Sequence, residues 1–265
     1  MKALMSPLLP LVAALALTAC GPKPAKTVSD APDAATVARY AAVDDNGTII
    51  PEVNAGYLNE HNRRTEVSYN GPEAPGTIIV DPYARFLYYT LPDGQALRYG
   101  IAVGREGRGF SGSATINRKA EWPSWRPTAN MVRSEPDVYG PVAAGLPGGL
   151  ENPLGARALY LYRGGRDTMY RIHGTNNSST IGRATSAGCI RLFNQDALDL
   201  FERAPQGTPV KVRTTDESLA IEGQMLELEN GYLVPAVSAE AQAFHERQQK
   251  AAEAAAKVAR VAPAN

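Results

Sequence analysis

The chain has 265 residues, 27 of them basic and 27 acidic, with three histidines and two cysteines; that length allows one large domain with tails, or two small ones. Zero formal charge lacks the basic excess that marks nucleic-acid binding, so no nucleic-acid partner is expected. Two cysteines cannot build a disulfide framework or a four-cysteine zinc site, and the scattered His61, His173 and His245 form no local metal motif.

In chain order, residues 1–19 read as an export signal. Lys2 supplies the charge and residues 8–17 form an apolar run of about ten, half of what a membrane-spanning helix needs. The run ends in Leu17-Thr18-Ala19-Cys20-Gly21, which resembles the bacterial lipobox. The resemblance implies cleavage before Cys20 and a lipid on its thiol that anchors without spanning. Gly21, where an Asp would resemble an inner-membrane retention signal, favours the outer membrane.

Residues 20–50, rich in Ala, Pro, Asp and Thr, read as a flexible tether, and 51–74 as a transition. From Thr77 the texture becomes β. Residues 77–81, 85–90, 96–103, 158–162, 169–173 and 209–213 read as strands, divided by turns such as Asp81-Pro82 and Pro92-Asp93-Gly94. Asn194 is a plausible N-cap for one helix, with Ala197, Leu198 and Phe201 on one face and Pro205 and Gly207 as its stop. Residues 104–155 show little regular pattern and suit a lid or cleft wall. Residues 226–234 suit a hairpin turning at Asn230-Gly231, and 238–261 favour helix by composition. No solenoid repeat is present.

His173 ends a strand, and Cys189 follows sixteen positions later behind the small residues Ser186, Ala187 and Gly188. A thiol is nucleophilic as thiolate, and an imidazole can take its proton. Backbone N–H groups around Gly188 and Cys189 would suit an oxyanion. Spacing alone fits this pair and a buried inert cysteine with a surface histidine equally.

The residues carry a further pattern. His173-Gly174-Thr175, then Ile181-Gly182, then Ser186-Ala187-Gly188-Cys189-Ile190-Arg191-Leu192 with Asn194 resembles the signature of the L,D-transpeptidase catalytic domains of the YkuD type. Upstream, Pro75-Gly76-Thr77-Ile78 and Tyr99-Gly100-Ile101-Ala102 are similar to that family's strands. Residues 119–127 are similar to its cleft loop, and 152–159 to the approach to the next strand. The resemblance covers about 75–213, expected as the catalytic domain, and leaves 214–265 as a small hairpin and helical tail. It implies a mainly β fold: an L,D-transpeptidase-type β-sandwich with few short helices, a long cleft loop and a helical C-terminal tail. Ala187 departs from the family's usual histidine, while His173 matches the histidine that serves as base.

The resemblance also implies a chemistry that needs no cofactor. Peptidoglycan tetrapeptide stems ending in meso-diaminopimelate and D-Ala would be the substrate. Cys189 would form a thioester, His173 would be the base, and the Gly174 carbonyl would orient the imidazole. Ser186 and Gly188 would position substrate. Arg191 would meet a stem carboxylate or form a structural salt bridge, and Trp122 and Trp125 would line the cleft or pack in the core. The acceptor would be a diaminopimelate amine, an amine on an outer-membrane protein, or water. The chief rival is a non-catalytic lipoprotein that binds the wall. Papain-like and sortase-like readings fail, because the histidine precedes the cysteine and Arg191 lies only two residues beyond it.

Overall fold

The structure, a computed structural model, describes residues 31–104, 110–185 and 189–261. In chain order it contains α1 (Ala34–Arg39), β1 (Val43–Asp45), β2 (Thr48–Ile50), β3 (Thr65–Ser68), β4 (Ile78–Asp81), β5 (Phe86–Leu91), β6 (Gln95–Gly100) and β7 (Ala102–Gly104). Next come β8 (Gly112–Glu121), α2 (Ala129–Ser134), α3 (Pro136–Tyr139), β9 (Arg157–Arg163), β10 (Arg166–His173), β11 (Ala184–Thr185) and β12 (Ile190–Arg191). The chain closes with α4 (Asn194–Arg203), β13 (Pro209–Val212), α5 (Thr215–Glu222), β14 (Met225–Glu227), β15 (Leu233–Pro235) and α6 (Ala239–Val261).

Among the described residues, eleven strands form one sheet in the order β11-β7-β12-β10-β9-β8-β13-β4-β5-β6-β3. The sheet folds back on itself. Val80 and Leu87 from one wing share a single core with Val103, Ile172 and Ile190 from the other. The chain crosses between wings at Ile101, directly from β6 into β7. The result is the expected mainly β layered fold. The β-branched run of β4 is buried at every position, as befits a strand covered on both faces. Between β5 and β6, Asp93 and Gly94 take φ of 59° and 67°, the left-handed conformations a tight hairpin loop requires. Helix α4 lays Ala197, Leu200 and Phe201 on the core.

Four expectations need correction. The tether reading fails from Ala34 onward, where α1 and the β1–β2 hairpin dock on the domain. Tyr40 and Ile50 are each only 1% exposed, and Asp45 makes a bidentate pair with buried Arg157 at 2.7 and 2.8 Å. Gln195 Nε2 donates to the carbonyls of Ala41 and Pro51. A few well-placed apolar anchors outweigh a polar average. Within 104–155, the segment without visible pattern contains the ten-residue β8. Its outer positions are polar, and a bulge between Ile116 and Arg118 breaks the alternation. Helix α5 was not foreseen, although Thr214 and Glu217 form a full capping box. Its Ser218 hydroxyl and the Arg213 guanidinium both donate to buried Asp81, seating α5 against β4. Finally, Asn194 opens α4 without capping it; Phe193 holds the N-cap position.

The hairpin at β14–β15 and the helix α6 follow expectation. Among the described residues no helix is long and apolar enough to cross a membrane, and no group of three or more His, Cys, Asp or Glu could hold a metal ion.

Candidate active site

The long β10 and the short β12, paired in parallel over two positions, build the site. β10 runs into His173, and β12 begins just after Cys189, with Ile172 paired to Ile190 and His173 to Arg191. Both isoleucines enter the core. Strand alternation therefore turns His173 and Arg191 to the opposite face. Cys189 precedes Ile190 and so lies at the Arg171 level of β10.

His173 is buried and its Nδ1 lies 2.7 Å from the Gly174 carbonyl oxygen. A carbonyl only accepts, so Nδ1 carries the proton and Nε2 keeps its lone pair. Burial, then the Arg191 and Arg171 guanidinium groups, push His173 down to about 3, against the pull of the Gly174 and Leu154 carbonyls. The imidazole is neutral at neutral pH. Cys189 is partly buried, with Sγ 3.6 Å from the Met169 carbonyl oxygen. That carbonyl belongs to an irregular stretch of β10 between Asp167 and Arg171, where Met169 adopts φ 66°. Burial lowers Arg191's pKa, while the nearby charges of Tyr139 and Cys189 raise it. The Arg191 charge thus acts on the sulfur and the imidazole alike.

Asn194 fixes the backbone around the histidine. Its Oδ1 accepts from the N–H groups of Ala156 and Thr175 at 3.0 and 3.1 Å, and its Nδ2 donates to the Thr175 carbonyl at 2.9 Å. Gly155 and Gly174 must be glycine for this to fit, since a Cβ on either would collide with Oδ1. The signal was legible as two glycines flanking strand ends, but only the fold shows which side chain they admit. Asn194→Ala leaves two buried N–H groups and a carbonyl without partners, and is expected to cost about 2–3 kcal/mol in urea unfolding. Asn194→Asp keeps the acceptor and is expected to cost less.

The other expected site residues separate. Trp125 packs its ring 6.2 Å from that of Tyr139. Trp122 instead lies at the end of β8, where its side chain joins Arg157 in holding Asp45 below the usual carboxylate range. Ser186, Ala187 and Gly188, like Cys20, lie outside the described residues.

Buried His173 and half-buried His61 tie stability to pH. His61 stacks on Phe86 with centroids 4.2 Å apart, and burial pushes it down to about 3 as well. Between about 3 and 6.5 the unfolded chain then holds more protons at both histidines, so each lowers stability as the pH falls. Asp196 acts in the opposite sense. Burial raises it to about 7, so the fold takes up its proton first and gains stability as pH falls from about 7 to 4. Two histidines act against one aspartate, so stability is expected to fall as the pH drops from about 6 to 5. Asp196→Asn removes the opposing group and is expected to steepen that fall in denaturation curves; an unchanged slope would contradict the assignment.

A mainly β domain whose parallel strand ends bring a cysteine, a neutral histidine and an arginine to one covered face is the class defined so far. The model of the YkuD family, the L,D-transpeptidase catalytic domain, matches residues 75–212. The chain therefore belongs to that family. It is 38% identical over 138 residues to the probable L,D-transpeptidase ErfK/SrfK of Escherichia coli K12, covering 51% of this chain and 43% of that protein. It is 36% identical to the probable L,D-transpeptidase YbiS of the same strain, covering 51% and 44%. The chain thus spans less than half the length of these relatives. A crystal structure from Brucella melitensis, described as a probable carnitine operon oxidoreductase, is 47% identical, with coverage of 57% and 94% and a TM-score of 0.41.

Proposed function

We propose that this protein is an L,D-transpeptidase acting on peptidoglycan tetrapeptide stems through a thioester on Cys189. The observation that carries the proposal is the hydrogen bond from His173 Nδ1 to the Gly174 carbonyl, on the strand paired beside Cys189. It supports the tautomer with the proton on Nδ1 and Nε2 as the base. The Gly174 carbonyl then fills the place of the orienting third group in a nucleophile–base pair. Nε2 takes the thiol proton, and the sulfur adds to the diaminopimelate carbonyl carbon. The C–N bond breaks, and D-Ala leaves on its amine with the proton returned by His173. An acceptor amine then attacks the thioester carbonyl, the C–S bond breaks, and the thiol is restored. The Arg191 charge, which is coupled to that of Cys189, supports negative charge on sulfur.

The N-terminal segment completes the reading. Cys20 carries a lipid after cleavage of residues 1–19 and holds the enzyme at the envelope, facing the wall from the outer membrane. The acceptor is a diaminopimelate amine or an amine on an outer-membrane protein. Incubation with muropeptides, followed by product analysis, tests all of this chemistry. Cross-linked or protein-linked products with free D-Ala are expected. D-Ala without a transferred product would make the enzyme a carboxypeptidase. No D-Ala would support the wall-binding lipoprotein instead.

A further inference from the structure

The face that carries Cys189 continues across the sheet as a row of three side chains. Arg118 of β8 pairs with Tyr160 of β9, and Tyr160 pairs with Arg171 of β10. Arg171 stands at the Cys189 level of β12. The bulge after Ile116 creates the row, because it turns Arg118 outward while Ile116 stays in the core. Each guanidinium carbon lies 4.4 Å from the centroid of the same Tyr160 ring. Tyr160 itself is buried beneath them.

The two arginines differ in their ties. Arg171 makes two hydrogen bonds to Asp167, at 2.7 and 2.8 Å, so its charge is matched. Arg118 is exposed and has the ring contact but no hydrogen bond to that carboxylate; against burial, Asp167 is held below the ordinary carboxylate range first by Arg171 and also by the Arg118 charge. One carboxylate beside two guanidinium groups leaves the row with a net positive charge. A planar fork held flat on an aromatic ring is pre-organised for a bidentate anion. Neighbouring strands stand about 4.8 Å apart, so β8 lies roughly 14 Å from β12. An extended peptide rises about 3.3 Å per residue. The three residues left when D-Ala departs from a tetrapeptide span about 10 Å, and the Arg118 guanidinium lies back over the Tyr160 ring on the intervening strand, so a chain joined to Cys189 and laid across the row comes to it.

We infer that the Arg118–Tyr160–Arg171 row is a subsite for a carboxylate of the donor peptide, with Arg118 as the residue that binds it. The inference rests on the reading of Cys189 as the residue that carries the acyl group, and it adds a specificity determinant to that site. Arg118 acts on donor binding and leaves the bond-breaking step to Cys189 and His173.

The test uses the full chain with Cys189→Ser, a tetrapeptide stem, and analogues in which one carboxylate at a time is amidated. Calorimetry is expected to show that Arg118→Gln weakens the parent peptide about tenfold to a hundredfold. One amidated analogue is expected to lose the same factor on the parent protein and to be indifferent to Arg118→Gln. Arg118→Lys, which keeps charge but not the fork, is expected to fall between. With Cys189 restored, Arg118→Gln is expected to raise the donor KM while kcat stays within about twofold. Equal weakening of every peptide, no weakening, or a change confined to the acceptor's KM would each overturn the subsite. Arg118-dependent binding without D-Ala release from the parent enzyme would keep the subsite and remove the reaction. Release without dependence on Arg118 would do the reverse.

Discussion

Serine at position 189 is expected to lower D-Ala release by at least about a thousandfold and to leave the fold unchanged. The chemistry calls for a group that is nucleophilic near neutral pH. A thiol meets that need where an alcohol does not, since its proton leaves several pH units earlier. Cys189 packs against a backbone carbonyl at the mouth of β12, so the isosteric hydroxyl fits. His173→Gln is expected to cost about a hundredfold to ten-thousandfold, the range of a positioned general base. The resting imidazole titrates near 3, so the acid limb of kcat/KM is expected well below the ordinary histidine value of about 6.5. Steady-state assays of D-Ala release across pH check all three. Activity persisting in His173→Gln would remove the histidine from the role of base.

The largest stability loss is expected at Arg213. Its side chain is 2% exposed and donates to Asp81 at 3.0 Å and to Glu222 at 2.7 Å. Asp81 is fully buried and also accepts from the N–H of Ala84 and the hydroxyl of Ser218. Arg213→Ala strands that carboxylate without its cation, which costs about 3–5 kcal/mol. The loss falls where β13 pairs in parallel with β4 and where α5 is seated. A contrast sits nearby: Arg203 pairs with Asp199 at 2.8 Å, but at the surface, and its alanine variant is expected to cost under about 1 kcal/mol. Urea unfolding of the two variants measures the difference. Equal costs would mean that burial is not what makes the Arg213 cluster matter.

Much of this was legible in the sequence for local reasons. The β-branched run at 78–80, the Asp93-Gly94 turn and the stop at Pro205 each act through their own neighbours, and the structure keeps them. The His173–Gly174 contact was also within reach, because it joins adjacent residues. Three features were not legible, and all three are long-range. Tyr40 and Asp45 meet partners over a hundred residues away, Asp196 and Arg157, so a polar stretch that looks like a tether is clasped to the domain. Asn194 sits where an N-cap would, but its amide bonds to Ala156 and Thr175 across the fold. The bulge in β8 hides a strand by breaking its period and puts Arg118 on the face opposite Ile116. Two tryptophans three residues apart were expected to line the cleft or pack in the core. The chain turns between them, with Trp122 at φ 40°, and sends one to Asp45 and the other to Tyr139.

The central claim is that Cys189 carries the acyl group, and mass spectrometry of the enzyme trapped with a donor tetrapeptide tests it most directly. Without an acceptor, the intact protein is expected to gain the mass of the peptide less D-Ala, and digestion is expected to place that mass on Cys189. Hydroxylamine is expected to remove it, as it removes thioesters. An unmodified protein, or an adduct mapped to any other residue, would contradict the account.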